Sequence, residues 1–247
     1  MLFDLFKKKK EVIPEINFSR VKTDLHSHLI PGIDDGAQDI TESIALIKRM
    51  MDFGFTKLIT TPHIMADFYR NTSSSILKGL DTLRQELQKE KLTIEIDAAA
   101  EYYLDETFEN KLQKGDILTL GKDYVLFELS YINYPKNLYE VIEKIKDKGY
   151  TPLLAHPERY PYMAGSIENY QRLKEAGCYL QLNTLSLTGH YGKQTQQIAE
   201  QMVDNYLVDF LGSDTHRLKH TDALLKALSI PYVIRLLTDY QLQNELL

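Results

Sequence analysis

The chain has 247 residues, of which 43% are apolar and 26% charged, with a formal net charge of −6 and one cysteine. That length suffices for one large α/β barrel or two small domains with an ample core. The negative balance gives no general attraction for nucleic acid, the lone cysteine excludes an internal disulfide and points to a reducing, cytoplasmic compartment, and no apolar run approaches the roughly 18–20 residues that span a bilayer.

The chain opens Met1-Leu-Phe-Asp-Leu-Phe-Lys-Lys-Lys-Lys10. The apolar part is too short for a signal peptide and precedes the charges. Residues 1–20 read as an extension, either a solvated tail or a weak contact with an anionic membrane surface on the inner face. A strand-like run, Phe18 to His26, then precedes a helix near Asp39–Phe53, with Asp39 as cap, Glu42 three residues on and Gly54 as stop. Strand and helix patterns alternate from there. Strands fall at 55–61, 92–101, 124–129, 151–155, 178–183 and 207–212, with helices near 73–91, 105–114, after Leu138, at 167–176, around Ile198–Tyr206 and at the C-terminus.

Seven strand-then-helix units argue for parallel strands with crossover helices. A closed or distorted barrel over residues 21–247 is the natural arrangement at this length, and an open doubly wound sheet is the alternative. No Gly-x-Gly-x-x-Gly follows any strand, so a dinucleotide site is not expected.

The strand ends carry the chemistry. His26 and His28 end the first strand in Asp24-Leu-His-Ser-His28, His63 ends the second, and Glu101 the third. Glu128 lies late in the fourth, His156 ends the fifth in Ala155-His-Pro-Glu-Arg159, and Asp214 and His216 end the seventh. In a parallel barrel these ends converge on one face. Any one histidine alone reads as a satisfied core residue; six strands contributing together read as a metal site. The donors are all nitrogen or oxygen, which suits Mn, Fe(II) or Zn and argues against a thiolate site. There are more donors than one ion uses, so two or three ions sharing a carboxylate are expected. Adjacent divalent ions make hydroxide available near neutral pH and clamp phosphate oxygens, which points to phosphoester hydrolysis.

Asp24-x-His-x-His28, His63, Glu101, Glu128, His156 and Asp214-x-His216, in this order, resemble the polymerase and histidinol phosphatase (PHP) superfamily. Within it, Leu29-Ile-Pro-Gly-Ile-Asp-Asp-Gly36 and Ala155-His-Pro-Glu-Arg-Tyr160 resemble the bacterial manganese-dependent tyrosine-protein phosphatases of capsule and exopolysaccharide synthesis. The resemblance implies a distorted (β/α)7 TIM-like barrel holding three divalent ions, manganese foremost. It places His26, His28, Glu101 and Asp214 on the first ion. Glu101 bridges to a second held also by Glu128 and His156, and Asp35, His63 and His216 hold the third. Arg159 matches an arginine that binds substrate phosphate. A second such arginine does not align cleanly after His216, and Arg217 stands as its candidate. The implied substrate is a phosphotyrosine protein, foremost the tyrosine-rich tail of a bacterial tyrosine kinase. Histidinol-phosphate phosphatase is the alternative on the same barrel, and the oligomeric state stays open.

Other residues carry two readings each. Asp24 orients a ligand imidazole or merely ends a strand, and Asp34 supports the ligands or forms the turn. Arg159 binds phosphate or pairs with Glu158. Cys178 begins a strand and lacks the phosphate-cradling loop of cysteine phosphatases, so it reads as buried and structural. His190 touches substrate or only lends polarity to its loop, His220 reads as surface, and Phe68-Tyr69-Arg70 as a loop over the site.

Overall fold

The computed structural model describes residues 14–247, so the Met1–Lys10 run lies outside the described residues. Among the described residues there are ten strands and eight α-helices. They are β1 (Thr23–Asp24), α1 (Ile40–Asp52), β2 (Lys57–Thr60), β3 (His63–Met65), β4 (Tyr69–Arg70), α2 (Ser73–Lys89), β5 (Glu95–Ala98), β6 (Glu101–Tyr103) and α3 (Glu106–Lys114) in the first half. The second half holds β7 (Tyr124–Glu128), α4 (Leu138–Asp147), β8 (Thr151–Ala155), α5 (Glu168–Glu175), β9 (Tyr179–Asn183), α6 (Lys193–Asp204), β10 (Phe210–Gly212), α7 (Leu218–Ala227) and α8 (Pro231–Thr238).

Nine of these strands make up seven longer ones, and β4 is only the return arm of a hairpin with β3. The second is interrupted at Thr61–Pro62 and the third at Ala99–Ala100, yet the register is the same on both sides: Thr60 pairs with Ala98 and His63 with Glu101. Proline has no N–H to give a ladder, which accounts for the break in the second strand. β1–β2–β5 pair in parallel, and β10–β9–β8–β7–β6–β3 form a second parallel run. The two runs meet at the first and last strands through the parallel bridge Ser27↔Thr215, where Asp214 N–H donates to His26 O at 2.8 Å and His28 N–H to Thr215 O at 2.9 Å. Followed through these contacts, each of the seven has a neighbour on both sides, as in a distorted TIM-like barrel.

Two readings of the first elements differ from the sequence pattern. Phe18–Arg20 is a 3-10 turn rather than the start of a strand. Phe18 is buried and stacks on Phe55 with ring centroids 4.7 Å apart, so apolar packing takes what the alternation suggested for pairing. The expected loop after His63 is partly a short antiparallel hairpin, β3 with β4. Asp39 does cap α1, accepting from Glu42 N–H at 2.9 Å.

Side chains alternate along a strand, so one face of each fills the barrel. Leu25, Ile59, Ala99, Leu126, Leu153 and Phe210 form an apolar cluster there, separate from the larger core between strands and helices. Two residues beyond Ala99 and Leu126 stand Glu101 and Glu128, and four beyond Ile59 and Phe210 stand His63 and Asp214. The interior therefore passes from an apolar floor to a titratable layer at the C-terminal strand ends. No helix among the described residues is long and apolar enough to cross a membrane.

Candidate metal centre

The nine side chains expected as ligands come together at the C-terminal end of the strands, in four overlapping sets whose donor atoms lie within 4.8 Å of one another. The sets are His28–Asp35–His63–His216, His26–His28–Asp214, His26–Glu101–His156 and His63–Glu101–Glu128. Glu101 is central: its Oε2 lies 3.1 Å from His26 Nε2 and 3.2 Å from His63 Nδ1, and its Oε1 lies 3.0 Å from His156 Nε2. Asp35 Oδ1 stands 3.5 Å from both His63 Nε2 and His216 Nε2. Asp35 is half exposed, whereas His26, His28 and Glu101 are fully buried.

Protein oxygens set the imidazole tautomers. His26 Nδ1 donates to Gln181 Oε1 at 2.8 Å, His28 Nδ1 to the Asp34 carboxylate at 2.8 Å, and His216 Nδ1 to Asp214 O at 2.9 Å. A carbonyl or carboxylate only accepts, so Nδ1 carries the proton and Nε2 presents its lone pair. Those lone pairs face carboxylate oxygens and, between His26 and His28, each other at 3.4 Å. His63 Nδ1 is buried with no hydrogen-bond partner. Lone pairs converging on lone pairs in a buried space are costly unless a cation lies between them. The donor set and its outer partners thus fit divalent metal ions.

The supporting residues resolve the paired readings above. Asp34 does both jobs: one oxygen holds His28 and the His63 N–H, the other accepts from Gly36 N–H at 2.9 Å to close the turn. Burial would raise its pKa, but His28 and His63 together hold it below the usual carboxyl value. Asp24 makes no hydrogen bond to an imidazole. It accepts from Ser213 N–H and Oγ, both at 2.8 Å, and so anchors the residue before Asp214. Its burial pushes its pKa up to about 7. Glu158 does not pair with Arg159; it turns inward and accepts from Asn183 N–H and Ser186 Oγ.

His156 and Asp214 have φ of +33° and +51°. Such backbone is strained for a residue with a Cβ and is concentrated at functional sites. At His156 it starts the turn Pro157–Arg159, which carries Arg159 back over the cluster. Arg159 Nη1 donates to Asp214 Oδ2 at 2.7 Å, and the guanidinium lies 4.1 Å from the Tyr191 ring centroid and 5.1 Å from that of Tyr131. Arg217 also lines the cavity, its Nη2 donating to Asp35 O at 3.2 Å.

A cavity of about 390 Å³ opens over the cluster. His220, expected on the surface, is half-buried and lines it. Its Nδ1 accepts from His216 N–H at 3.2 Å, which draws the ring inward; burial, then His216, push its pKa down to about 4. His190 is exposed, with its ring edge-on to His220, and does not line this cavity. Cys178 is buried, and burial pushes its thiol up to about 12. Sequence reading missed Gln181, Asn183, Tyr131 and Tyr191. Gln181 alone had a signal: a polar residue at an inward position between two leucines.

A barrel of parallel strands with a buried cluster of imidazoles and carboxylates at its C-terminal face, roofed by an arginine, defines a metal-dependent hydrolase. Residues 22–236 match the family model for capsular polysaccharide synthesis, CpsB/CapC, and the chain belongs to that family. It is 29% identical over 233 residues to the tyrosine-protein phosphatase YwqE of Bacillus subtilis, covering 90% of this chain and 92% of the relative. It is 27% identical to the tyrosine-protein phosphatase CpsB of Streptococcus agalactiae, covering 79% and 83%. Among solved structures it resembles a chain from the work on YwqE of B. subtilis and CpsB of Streptococcus pneumoniae, described as metal-dependent tyrosine phosphatases. That match has a TM-score of 0.77 at 28% identity, over 89% of this chain and 96% of the other. Histidinol phosphate phosphatase from Lactococcus lactis shares the fold, with a TM-score of 0.52 at 15% identity over 85% and 94% of the two chains.

Proposed function

We propose that this chain is a metal-dependent phosphotyrosine-protein phosphatase of capsular polysaccharide synthesis. The observation that carries the reading is the cluster of donor sets sharing His26, His28, His63 and Glu101, with Arg159 above it. His26, His28, Glu101 and Asp214 would hold one ion, Glu101, Glu128 and His156 a second, and Asp35, His63 and His216 a third. Manganese is the proposed metal, and iron or zinc would be accommodated by the same donors. Bound there, such ions supply hydroxide near neutral pH and a clamp for the phosphate oxygens.

The chain's own groups do the rest. Gln181 and Asp34 keep the imidazole lone pairs aimed inward. Arg159 offers a planar fork to the phosphate oxygens and to the charge that grows on them in the transition state. Arg217 is the candidate for a further contact at the mouth. The phenol of tyrosine leaves readily compared with an alkyl alcohol, since its pKa is about 10. The proposed partner is a phosphotyrosine protein, foremost the tail of a bacterial tyrosine kinase. The phosphorylation it would reverse consumes ATP, so the cytoplasmic side is the proposed place of the reaction. Residues 21–247 are proposed as one working domain, against which Phe18 packs through Phe55. The histidinol-phosphate alternative has only the shared barrel in its favour.

The test uses chelated enzyme with manganese added back, assayed on p-nitrophenyl phosphate, a phosphotyrosine peptide and histidinol phosphate. Metal-dependent turnover of the two aryl phosphates, abolished by His156→Ala, is expected. A preference for histidinol phosphate, or turnover indifferent to chelation, refutes the reading.

A further inference from the structure

The mouth of the cavity has two unlike sides. On the second and third strands, His63 and Glu101 are paired, and the next inward residues are Met65 and Tyr103. The fourth strand leads into Tyr131. These three neighbouring strands therefore raise an apolar, aromatic arc above the titratable layer. Close by in the chain, Phe68 and Ile132 are 71% and 86% exposed. Across the barrel, the seventh strand leads into α7, and its first residues bring Arg217, Lys219 and His220 to the cavity. Arg159, in the turn after the fifth strand, joins that side.

The cations differ in how they are engaged. Arg159 is tied to Asp214, and Arg217 to the main chain of Asp35. Lys219 is exposed, lines the cavity, and makes no hydrogen bond or ion pair with any described residue. Its side chain stands at the outer edge of the site, where the residues flanking a bound phosphotyrosine would pass. An aryl ring suits the apolar arc. On the opposite arc, Arg159 and Arg217 face the phosphate, and Lys219 is left over for a second anion.

We infer that Lys219 recognises an aspartate or glutamate adjacent to the phosphotyrosine, so that the enzyme prefers acid-flanked sites. This rests on the phosphotyrosine reading and adds to it a sequence preference. An exposed ion pair of this kind contributes up to about fivefold in affinity and weakens with salt.

The test compares two phosphotyrosine peptides that differ only in aspartate or alanine on either side of the phosphotyrosine, at low ionic strength. The ratio of their kcat/KM values is read. In the wild type it should be about three to five in favour of aspartate, and it should shrink in 0.5 M salt. Lys219→Ala should bring it near one, and Lys219→Glu below one. A wild-type ratio of one or less overturns the inference, as does a ratio unmoved by Lys219→Glu. Equal losses on both peptides would place Lys219 on the phosphate and overturn it too. If neither peptide nor p-nitrophenyl phosphate is turned over with manganese present, the phosphatase reading itself has failed, and this inference with it.

Discussion

Replacing Gln181 with leucine tests whether the outer partners of the imidazoles set metal affinity. Gln181 is fully buried, and its Oε1 accepts from both His26 Nδ1 at 2.8 Å and His156 N–H at 3.3 Å. Its Nε2 has no partner, so the acceptor oxygen is what the site uses. Leucine keeps the volume and removes the oxygen, stranding two buried donors. Each stranded donor costs about 1–3 kcal/mol, and removal of the unpartnered Nε2 offsets part of this, so the metal-free protein should lose roughly 2–4 kcal/mol. At this chain length that is a fall in Tm of roughly 5–15 °C. His26 would also lose the group that fixes its tautomer, and such losses weaken metal binding about 10–100-fold. The assay is the manganese concentration that half-restores turnover to chelated enzyme, alongside calorimetry of the metal-free form. Gln181→Glu keeps an acceptor at the same reach and should hold the half-saturating concentration near wild type. An unchanged concentration in Gln181→Leu would show that Gln181 plays no part in ordering His26.

A Cβ on Gly36 would lie 2.2 Å from His28 O and 2.4 Å from His28 Cβ, so Gly36→Ala must displace the turn that carries Asp34 and Asp35. Turnover at saturating manganese should drop on the order of 100-fold, as misplacements of about 1 Å do; near-normal kcat would refute the placement. Iodoacetamide should leave native activity intact, because the Cys178 thiol is buried with its pKa pushed up to about 12; stoichiometric labelling of folded, active enzyme would contradict this. Burial pushes the Glu158 carboxyl from 4.5 to about 7, so the fold favours its neutral form. That contribution is complete below about pH 4.5 and is lost as pH rises through 7, and Glu158→Gln should flatten this slope, stabilising the protein at pH 8 by roughly 1–3 kcal/mol in denaturant melts.

The strands that sequence patterning reads best are those with continuous apolar runs bounded by glycine. Thr151–Ala155 and Tyr124–Glu128 stand where the pattern puts them, because burial on both faces leaves no other use for such runs. The site was legible for a related reason. Parallel strands bring their C-terminal ends to one face, so His26, Glu101, His156 and Asp214 need only be strand ends to meet. What stayed hidden depends on pairings across the chain. Gln181 meets His26 across 155 positions, and Asp24 meets Ser213 across 189. No local pattern encodes either. His220 was misread because one backbone N–H, that of His216, decides whether its ring turns in or out.

The layered interior also couples metal binding to folding. The floor of Leu126, Leu153 and Phe210 closes the titratable layer off from below, while the side chains above it leave His26, His28 and Glu101 fully buried. Water therefore cannot solvate Glu101, and only cations or imidazolium protons can balance it. Divalent ions that bind the folded chain and not the unfolded one add RT ln(1 + [L]/Kd) to stability, about 2.7 kcal/mol at a hundredfold excess over Kd. Chelation should thus lower Tm as well as stop turnover, and Glu101→Gln should reduce the difference in Tm between loaded and chelated protein. If the two forms of the wild type melt together, the carboxylate at the centre of the cluster is balanced by protonated histidines, and metal is not what holds this layer of the barrel in place.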